Sequence, residues 1–184
     1  MRDTFKGKVG RWFVVGGLLL LMGITSVGYV QAAGLSEDEI DWLTYMREEE
    51  KLARDVYLYL FGIYGSRIFN NISGSEQTHM GAIKTLLDRY EITDPVGTND
   101  KGVFTNQDLQ KLYDALTLQG SASLVEALKV GVFIEETDID DLTAAIASTR
   151  RKDIKTVCSQ LPKGSLNHLK AFVSNLSRHG VIAE

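Results

Sequence analysis

Apolar residues recur at alternating spacings of three and four along four segments of the chain, which is the pattern of a helix with one buried face. In the first segment this spacing selects Leu43, Met46, Glu50, Ala53, Tyr57, Leu60 and Tyr64. Ser36 followed by Glu39 predicts a capping box at the start of that helix, and Gly62 and Gly65 bracket the turn after it. No segment shows the strict alternation of a half-buried strand. The pattern therefore predicts an all-α protein.

Three further long helices are predicted. The second covers about residues 67–91, the third fits residues 121–148, and the fourth fits residues 153–179, with a kink where Pro162 and Gly164 interrupt it. A polar connection separates the second helix from the third, and within it Thr105 and Asp108 predict the cap of a short helix. Four long helices with a long crossover between the second and third have the connectivity of a ferritin-like four-helix bundle.

Ionisable side chains interrupt the apolar stripe of every long helix. Glu50 takes such a position in the first helix, Glu76 and His79 in the second, Glu135 in the third and His168 in the fourth. A charge buried among apolar side chains is costly unless it finds a partner. Several inward carboxylates from different helices therefore need a shared partner.

Both helical hairpins place these residues at matching heights. Glu50 and Glu76 are equally distant in sequence from the glycine-bracketed turn. Glu135 and His168 are equally distant from the polar turn that follows the third helix. Because residues equidistant from the turn of an antiparallel hairpin lie level with each other, the four side chains are predicted to meet in one pocket.

The segments that carry these residues resemble known ferritin-like proteins. Residues 50–57, Glu-Lys-Leu-Ala-Arg-Asp-Val-Tyr, resemble the iron-ligand segment in the first helix of rubrerythrins, and residues 76–79, Glu-Gln-Thr-His, are similar to the Glu-x-x-His of the second helix. Residues 127–142 and 164–169 resemble a ferritin-like family of unknown function. The resemblance covers nearly all of residues 36–178. It implies a bundle that encloses two iron ions, or manganese, bridged by carboxylates, with oxygen or peroxide chemistry.

The resemblance also implies a ligand set of four carboxylates and two imidazoles. Ser165 stands three residues before His168, where the superfamily pattern has a glutamate. Asp138, three residues after Glu135, restores the fourth carboxylate and is expected at the edge of the pocket with His79. The expected metal ligands are Glu50, Glu76, His79, Glu135, Asp138 and His168.

Two assignments in the first helix stay open. Glu49 competes with Glu50, because an adjacent apolar line that includes Trp42 and Leu52 runs through it, and the resemblance favours Glu50. Tyr57, seven residues after Glu50, is the candidate catalytic residue, a redox-active tyrosine. Ordinary core packing is the alternative for Tyr57.

Composition and charge narrow the function. The 184 residues include 20 Lys and Arg against 24 Asp and Glu, which excludes the basic footprint of a nucleic-acid-binding protein. The single cysteine, Cys158, excludes a disulfide framework and the four-thiolate iron site of a complete rubrerythrin. Three functions remain: an oxidoreductase acting on oxygen, peroxide or Fe(II), a metal-binding module without turnover, and an interaction protein whose ionisable groups pair with one another. The sequence is compatible with a homodimer.

Residues 1–32 have the pattern of a secretory signal peptide. Four basic residues precede an uncharged run over residues 12–30, and small residues at Val30 and Ala32 fit a cleavage point before Ala33. The alternative is an uncleaved membrane anchor, because the run approaches the length that spans a bilayer. In both cases the domain of residues 33–184 is expected outside the cytoplasm, secreted or periplasmic, and any membrane contact is expected through the N-terminus alone.

Overall fold

A computed structural model of the protein describes residues 34–181, and every regular element in that range is a helix. In chain order the helices are α1 (Glu37–Tyr64), α2 (Arg67–Arg89), α3 (Gln107–Gly120), α4 (Leu124–Ser148), α5 (Lys152–Cys158) and α6 (Leu161–Arg178). The all-α prediction is confirmed for these residues, whereas the predicted signal peptide lies outside them. Among the residues described, no helix is both long and apolar enough to cross a membrane.

Two helix pairs, α1 with α2 and α4 with α6, make up most of the bundle-like core. The turn between α1 and α2 uses Gly65 at φ 61°, in the left-handed region, where its N–H donates to the carbonyl of Phe61 at 2.8 Å. The pair of α4 and α6 packs closely, because a Cβ atom on Gly131 would lie 2.5 Å from the ring of Phe172. A side chain larger than hydrogen at residue 131 would therefore push the two helices apart.

Local hydrogen bonds start α1 where the sequence predicts. The Ser36 Oγ accepts from the Glu39 N–H at 3.2 Å, and the Glu39 Oε2 accepts from the Ser36 N–H at 3.0 Å. The predicted capping box of α1 is thus confirmed. Ser123 caps α4 in a similar way, accepting from the N–H of Glu126 at 3.1 Å.

The predicted cap of α3 is wrong by one residue. Asn106, and not Thr105, accepts the first free N–H groups of α3, from Asp108 at 2.9 Å and Leu109 at 3.3 Å. Thr105 is held by the crossover instead, because its hydroxyl donates to the carbonyl of Pro95 at 2.8 Å. The same oxygen accepts from the side chain of Asn99 at 3.1 Å, so the Thr105 hydroxyl is engaged within the crossover and not at the start of α3.

The predicted fourth helix is two helices. α5 ends at Cys158, and α6 begins at Leu161 with Pro162 in its first turn. In one continuous helix the ring of Pro162 would clash with the carbonyl of Cys158, whereas a first turn tolerates proline. The interruption is thus a break before Pro162 and not the predicted kink, and Gly164 lies inside α6.

Buried charges on α1 fix the long crossover between α2 and α3. Arg47 pairs with Asp94 at 2.9 Å, and the two carboxylate oxygens of Glu48 accept from the N–H groups of Thr105 and Asn106 at 2.6 and 2.9 Å. These bonds give the buried Arg47 and Glu48 side chains partners in the crossover.

Lys51 is the third of these charges, and it is fully buried. Its Nζ donates to Asp55 Oδ2 at 2.6 Å and to the carbonyls of Asp100 and Val103 at 2.8 and 3.1 Å. Three acceptors saturate the three N–H groups of an ammonium. Lys51 therefore ties the crossover to α1.

Replacing Lys51 by methionine is expected to lower the free energy of unfolding by about 3 kcal/mol, because the buried Asp55 then loses its closest cationic partner and keeps only Arg54. The matched control is Lys84→Met, which breaks an exposed pair with Asp88 at the same i,i+4 spacing and should cost about 0–1 kcal/mol. Urea denaturation of the full chain measures both. Equal losses in the two variants would contradict a structural role for the buried pair.

Candidate metal centre

A polar layer divides the apolar core into two clusters. One cluster gathers residues such as Val56, Phe69 and Phe172, and the other gathers residues such as Leu43 and Leu86. The side chains between the clusters come from α1, α2, α4 and α6, and all but the half-buried His168 are buried. The members of this layer are Glu50, Glu76, His79, Glu135, Asp138, Ser165 and His168.

Glu76 lies at the centre of the layer, between the two imidazoles. Its Oε2 is 2.8 Å from the Nδ1 of His79, and its Oε1 is 2.8 Å from the Nδ1 of His168. Two triads share this carboxylate, and the ligand-type atoms within each triad lie within 4.8 Å of one another. The first triad is Glu50, Glu76 and His79, and the second is Glu76, Glu135 and His168.

The imidazole nitrogens and carboxylate oxygens of the triads form no well-aligned hydrogen bonds with each other. The 2.8 Å separations are of hydrogen-bond length, but the geometry at each Nδ1 is not that of a well-aligned hydrogen bond. The Nδ1 atoms of His79 and His168 are consequently buried without a hydrogen-bond partner, as are an oxygen of Glu50 and one of Glu76. Buried polar atoms are normally satisfied. Nitrogen and oxygen atoms that converge in this way are groups that could hold a common cation.

The pKa values of the carboxyl groups in the polar layer indicate an excess of negative charge there. The imidazoles of His168 and His79 outweigh the effect of burial and lower the pKa of Glu76 to about 2. Burial and the charge of Glu76 instead raise the pKa of Glu135 and that of Asp138 to about 7. Two imidazoles therefore compensate one carboxylate well and leave the others short of positive charge.

The pKa values of the Glu50 carboxyl group and the His168 imidazole show the same excess of negative charge. Burial, together with the charges of Asp138 and Glu76, raises the pKa of Glu50 well above its usual value. Burial lowers the pKa of His168, but Glu135 and Glu76 reverse this and raise it to about 9. A bound cation would neutralise the negative charge that the two imidazoles leave uncompensated.

Neighbouring hydroxyl groups hold the layer in place. The Tyr57 OH donates to Glu135 Oε1 at 2.7 Å, and the Nε2 of His168 contacts the Ser75 Oγ at 3.0 Å. The Ser165 hydroxyl donates to an oxygen of Asp138. Partners of this kind orient metal ligands and fix the histidine tautomer.

The structure brings five of the six residues expected as ligands into the two triads. His79 belongs to the first triad and does not lie at the edge of the pocket, where the sequence places it. Asp138 lies outside both triads, beside Ser165. Glu49 and Glu50 are both buried, and only Glu50 belongs to a triad.

Three residues make contacts in this site that the sequence analysis did not predict. Ser75 precedes Glu76 on α2 and reaches His168, 93 residues away. Ser165 stands where the superfamily has a glutamate, and its contact with Asp138 spans 27 residues. Gly164 lets α6 approach His79, because a Cβ atom there would lie 2.7 Å from the imidazole Nε2. No local pattern signals any of these contacts.

Gly164→Ala is expected to weaken metal binding about 10- to 100-fold, because the added methyl group displaces the His79 ring. In the metal-free protein, helix propensity favours alanine by about 1 kcal/mol, and the displacement of the His79 ring opposes that gain. Gly81→Ala on α2 is the matched control, since nothing lies within 4 Å of its Cβ position. Competition titration against a chelator and thermal melting separate the two effects. Unchanged affinity in Gly164→Ala would mean that the His79 ring position does not matter for binding.

Comparison with known proteins identifies relatives with this fold. The model of an uncharacterized protein domain, DUF2202, matches residues 39–184. The chain is 51% identical over 146 residues to the uncharacterized protein MJ0754 of Methanocaldococcus jannaschii, a match that covers 79% of each chain. The crystal structure of the hypothetical protein MJ0754 from Methanococcus jannaschii DSM 2661 is similar with a TM-score of 0.80 and 50% identity, over 82% of this chain and 86% of that chain.

Proposed function

The chain belongs to the family of the uncharacterized protein domain DUF2202, and from the cluster of carboxylates and imidazoles between its helices we propose that it is a di-metal carboxylate protein of ferritin-like architecture. Glu50, Glu76 and His79 would hold one metal ion, and Glu76, Glu135 and His168 the other. The observation that carries the proposal is the position of Glu76, whose two oxygens face the two imidazoles and so suit a bridging ligand.

Iron is the metal that this donor set suits, with manganese as the alternative. The ligands are oxygen and nitrogen atoms without thiolate, and Cys158 belongs to the neighbouring apolar cluster. Two iron ions held by these residues would supply electron exchange with oxygen, peroxide or Fe(II). The proposed activity is accordingly that of an oxidoreductase.

Tyr57 has the geometry for the proposed catalytic role. Its ring is fully buried against Phe69 and Phe172, with centroids 6.3 and 5.3 Å away, and its hydroxyl reaches only into the polar layer. By donating to one oxygen of Glu135, it leaves the other oxygen facing His168. A proton or hydrogen atom held at the Tyr57 oxygen is thus next to a ligand carboxylate and shielded from water.

Mutual pairing of the ionisable groups does not account for the layer. Four carboxylates face two imidazoles, and the unpartnered atoms include both Nδ1 atoms and an oxygen each of Glu50 and Asp138. A pure salt-bridge network would satisfy these atoms first. A cation shared by the carboxylates explains both the surplus charge and the orientation of the imidazoles.

Elemental analysis of the full chain, purified from its native compartment, tests the proposal, together with an optical spectrum before and after peroxide. We expect two iron or manganese ions per chain and a near-ultraviolet charge-transfer band that changes with peroxide. Two ions without any response to peroxide or oxygen would make the protein a metal-binding module without turnover. Protein without metal that fails to bind Fe(II) would leave an interaction scaffold.

We further propose that the domain acts outside the cytoplasm, on the basis of the N-terminal pattern alone. Protein recovered from an export-competent host should begin at Ala33 and remain in the soluble fraction. N-terminal sequencing and fractionation measure both properties. An intact Met1 on membrane-bound protein would instead make residues 1–32 an anchor.

A further inference from the structure

The two triads have the same donor set and nearly the same internal geometry. In the first, the Nδ1 of His79 lies 2.8 Å from an oxygen of Glu76 and 3.3 Å from one of Glu50. In the second, the Nδ1 of His168 lies 2.8 Å from Glu76 and 3.4 Å from Glu135. The two imidazole side chains are also similarly buried, with 9% and 11% of their surface exposed. A difference between the two sites therefore has to come from the groups around the ligands.

Hydroxyl groups hold both ligands that belong to the second triad alone. The Tyr57 OH donates to Glu135 Oε1 at 2.7 Å, and the Nε2 of His168 contacts the Ser75 Oγ at 3.0 Å. A metal ion at the Nδ1 of His168 needs the lone pair of that atom, so the imidazole proton has to be on Nε2. The Ser75 oxygen accepts that proton. Ser75 thus favours the tautomer of His168 that binds metal.

The two ligands that belong to the first triad alone have no such support. No hydroxyl or backbone N–H of residues 34–181 donates to the carboxylate of Glu50, and its Oε1 is buried without a partner. The Nε2 of His79 makes no hydrogen bond within the same range, and it lies beside Gly164, where a Cβ atom would be 2.7 Å away. Both side chains therefore lose more freedom when an ion binds.

We propose that the two metal sites are not equivalent: the second triad, whose ligands are held by Ser75 and Tyr57, binds its ion first and retains it, and the first triad takes up a weaker, exchangeable ion. This inference rests on the proposed function, because it concerns the two ions of the proposed centre. Ligands held in position before binding give higher affinity, since less ordering accompanies binding. Ser75 is a positioning residue, because it acts on the ion through His168.

The test uses Mn²⁺ and the metal-free full chain. Loss of the electron paramagnetic resonance signal of free Mn²⁺ counts bound ions, and competition with a chelator gives the affinity of the tighter ion. We expect two binding steps whose dissociation constants differ by about tenfold or more. At one equivalent of Mn²⁺ the spectrum should show isolated bound ions, because two ions bridged by one carboxylate would couple magnetically.

Ligand variants assign each step to a triad. Glu135→Gln should lose the tighter step and keep one weakly bound ion, whereas Glu50→Gln should lose the weaker step and keep the tightly bound ion. The reverse assignment would overturn the inference, and so would two ions of equal affinity with coupled spectra at one equivalent. The di-metal centre would stand in both cases.

Ser75→Ala should weaken the tighter step about 10- to 100-fold and leave the weaker step nearly unchanged. Ser73→Ala is the matched control on the same helix, because the Ser73 hydroxyl donates instead to the carbonyl of Asn70 at 2.8 Å. It should bind both ions like wild type, and thermal melting of metal-free protein checks that both variants fold. An unchanged tighter step in Ser75→Ala, or equal weakening in Ser73→Ala, would overturn the inference. Failure of wild type to bind any Mn²⁺ or Fe²⁺ tightly would overturn the proposed function itself.

Discussion

Glu76→Gln is expected to abolish stable binding of both metal ions, because Glu76 is the one ligand that the two triads share. Loss of a ligand should weaken binding by more than the roughly 10- to 100-fold that loss of an orienting neighbour costs. Metal bound only to the folded state stabilises it by about 4 kcal/mol when free metal exceeds its dissociation constant a thousandfold. The melting temperature in saturating metal should therefore fall by about 10 °C.

Glu136→Gln is the control, since Glu136 is a neighbour of Glu135 on α4 and belongs to neither triad. Metal content is measured by mass spectrometry, and melting temperature is measured with and without chelator. In both measurements Glu136→Gln should behave like wild type. A Glu76→Gln protein that still binds two ions per chain, or a wild type whose melting is indifferent to chelator, would contradict the shared-ligand assignment.

Metal-free protein is expected to be more stable near pH 5.5 than near pH 8, by about 5 °C or more in melting temperature. Glu135 and Asp138 have pKa values raised to about 7, so the folded state keeps protons that the unfolded chain has released. For these two groups the free energy of unfolding therefore falls as pH rises from the usual carboxyl range to about 7, and levels off above it. The pKa of His168, raised to about 9, has the same sign, because its stabilisation is complete below pH 6.5 and is lost as pH rises through 9. Glu76 has the opposite sign, but its pKa of about 2 places that loss below this window.

The effect of Glu50→Gln on thermal stability should have opposite signs in the metal-free and the metal-loaded protein. Burial raises the pKa of Glu50 well above the usual range, so glutamine should stabilise metal-free protein at pH 8 and remove part of the pH dependence. In saturating Mn²⁺ the same substitution removes a ligand and should destabilise. Thermal melting over pH 5–8 with and without metal measures both signs. A flat pH profile in metal-free wild type would contradict the charge imbalance of the layer.

The local sequence determined the helices and the inward direction of the site. The capping box of Ser36 and the left-handed Gly65 act within one turn of the chain, so the local sequence places both ends of α1. A spacing of three and four fixes which side of a helix each residue faces. Glu50, Glu76 and the other interruptions of the apolar stripes were therefore readable as one inward set.

Only the tertiary structure decided how that set is used. Helical periodicity separates neighbours such as Glu49 and Glu50 by about 100°. It could not show that both are buried, one inside a triad and the other outside both triads. The role of Glu76 between two imidazoles, and the donation from Ser165 to Asp138, depend on how closely α6 approaches α2 and α4. That distance is set by close packing at Gly131 and Gly164, where absent side chains let helices far apart in sequence meet.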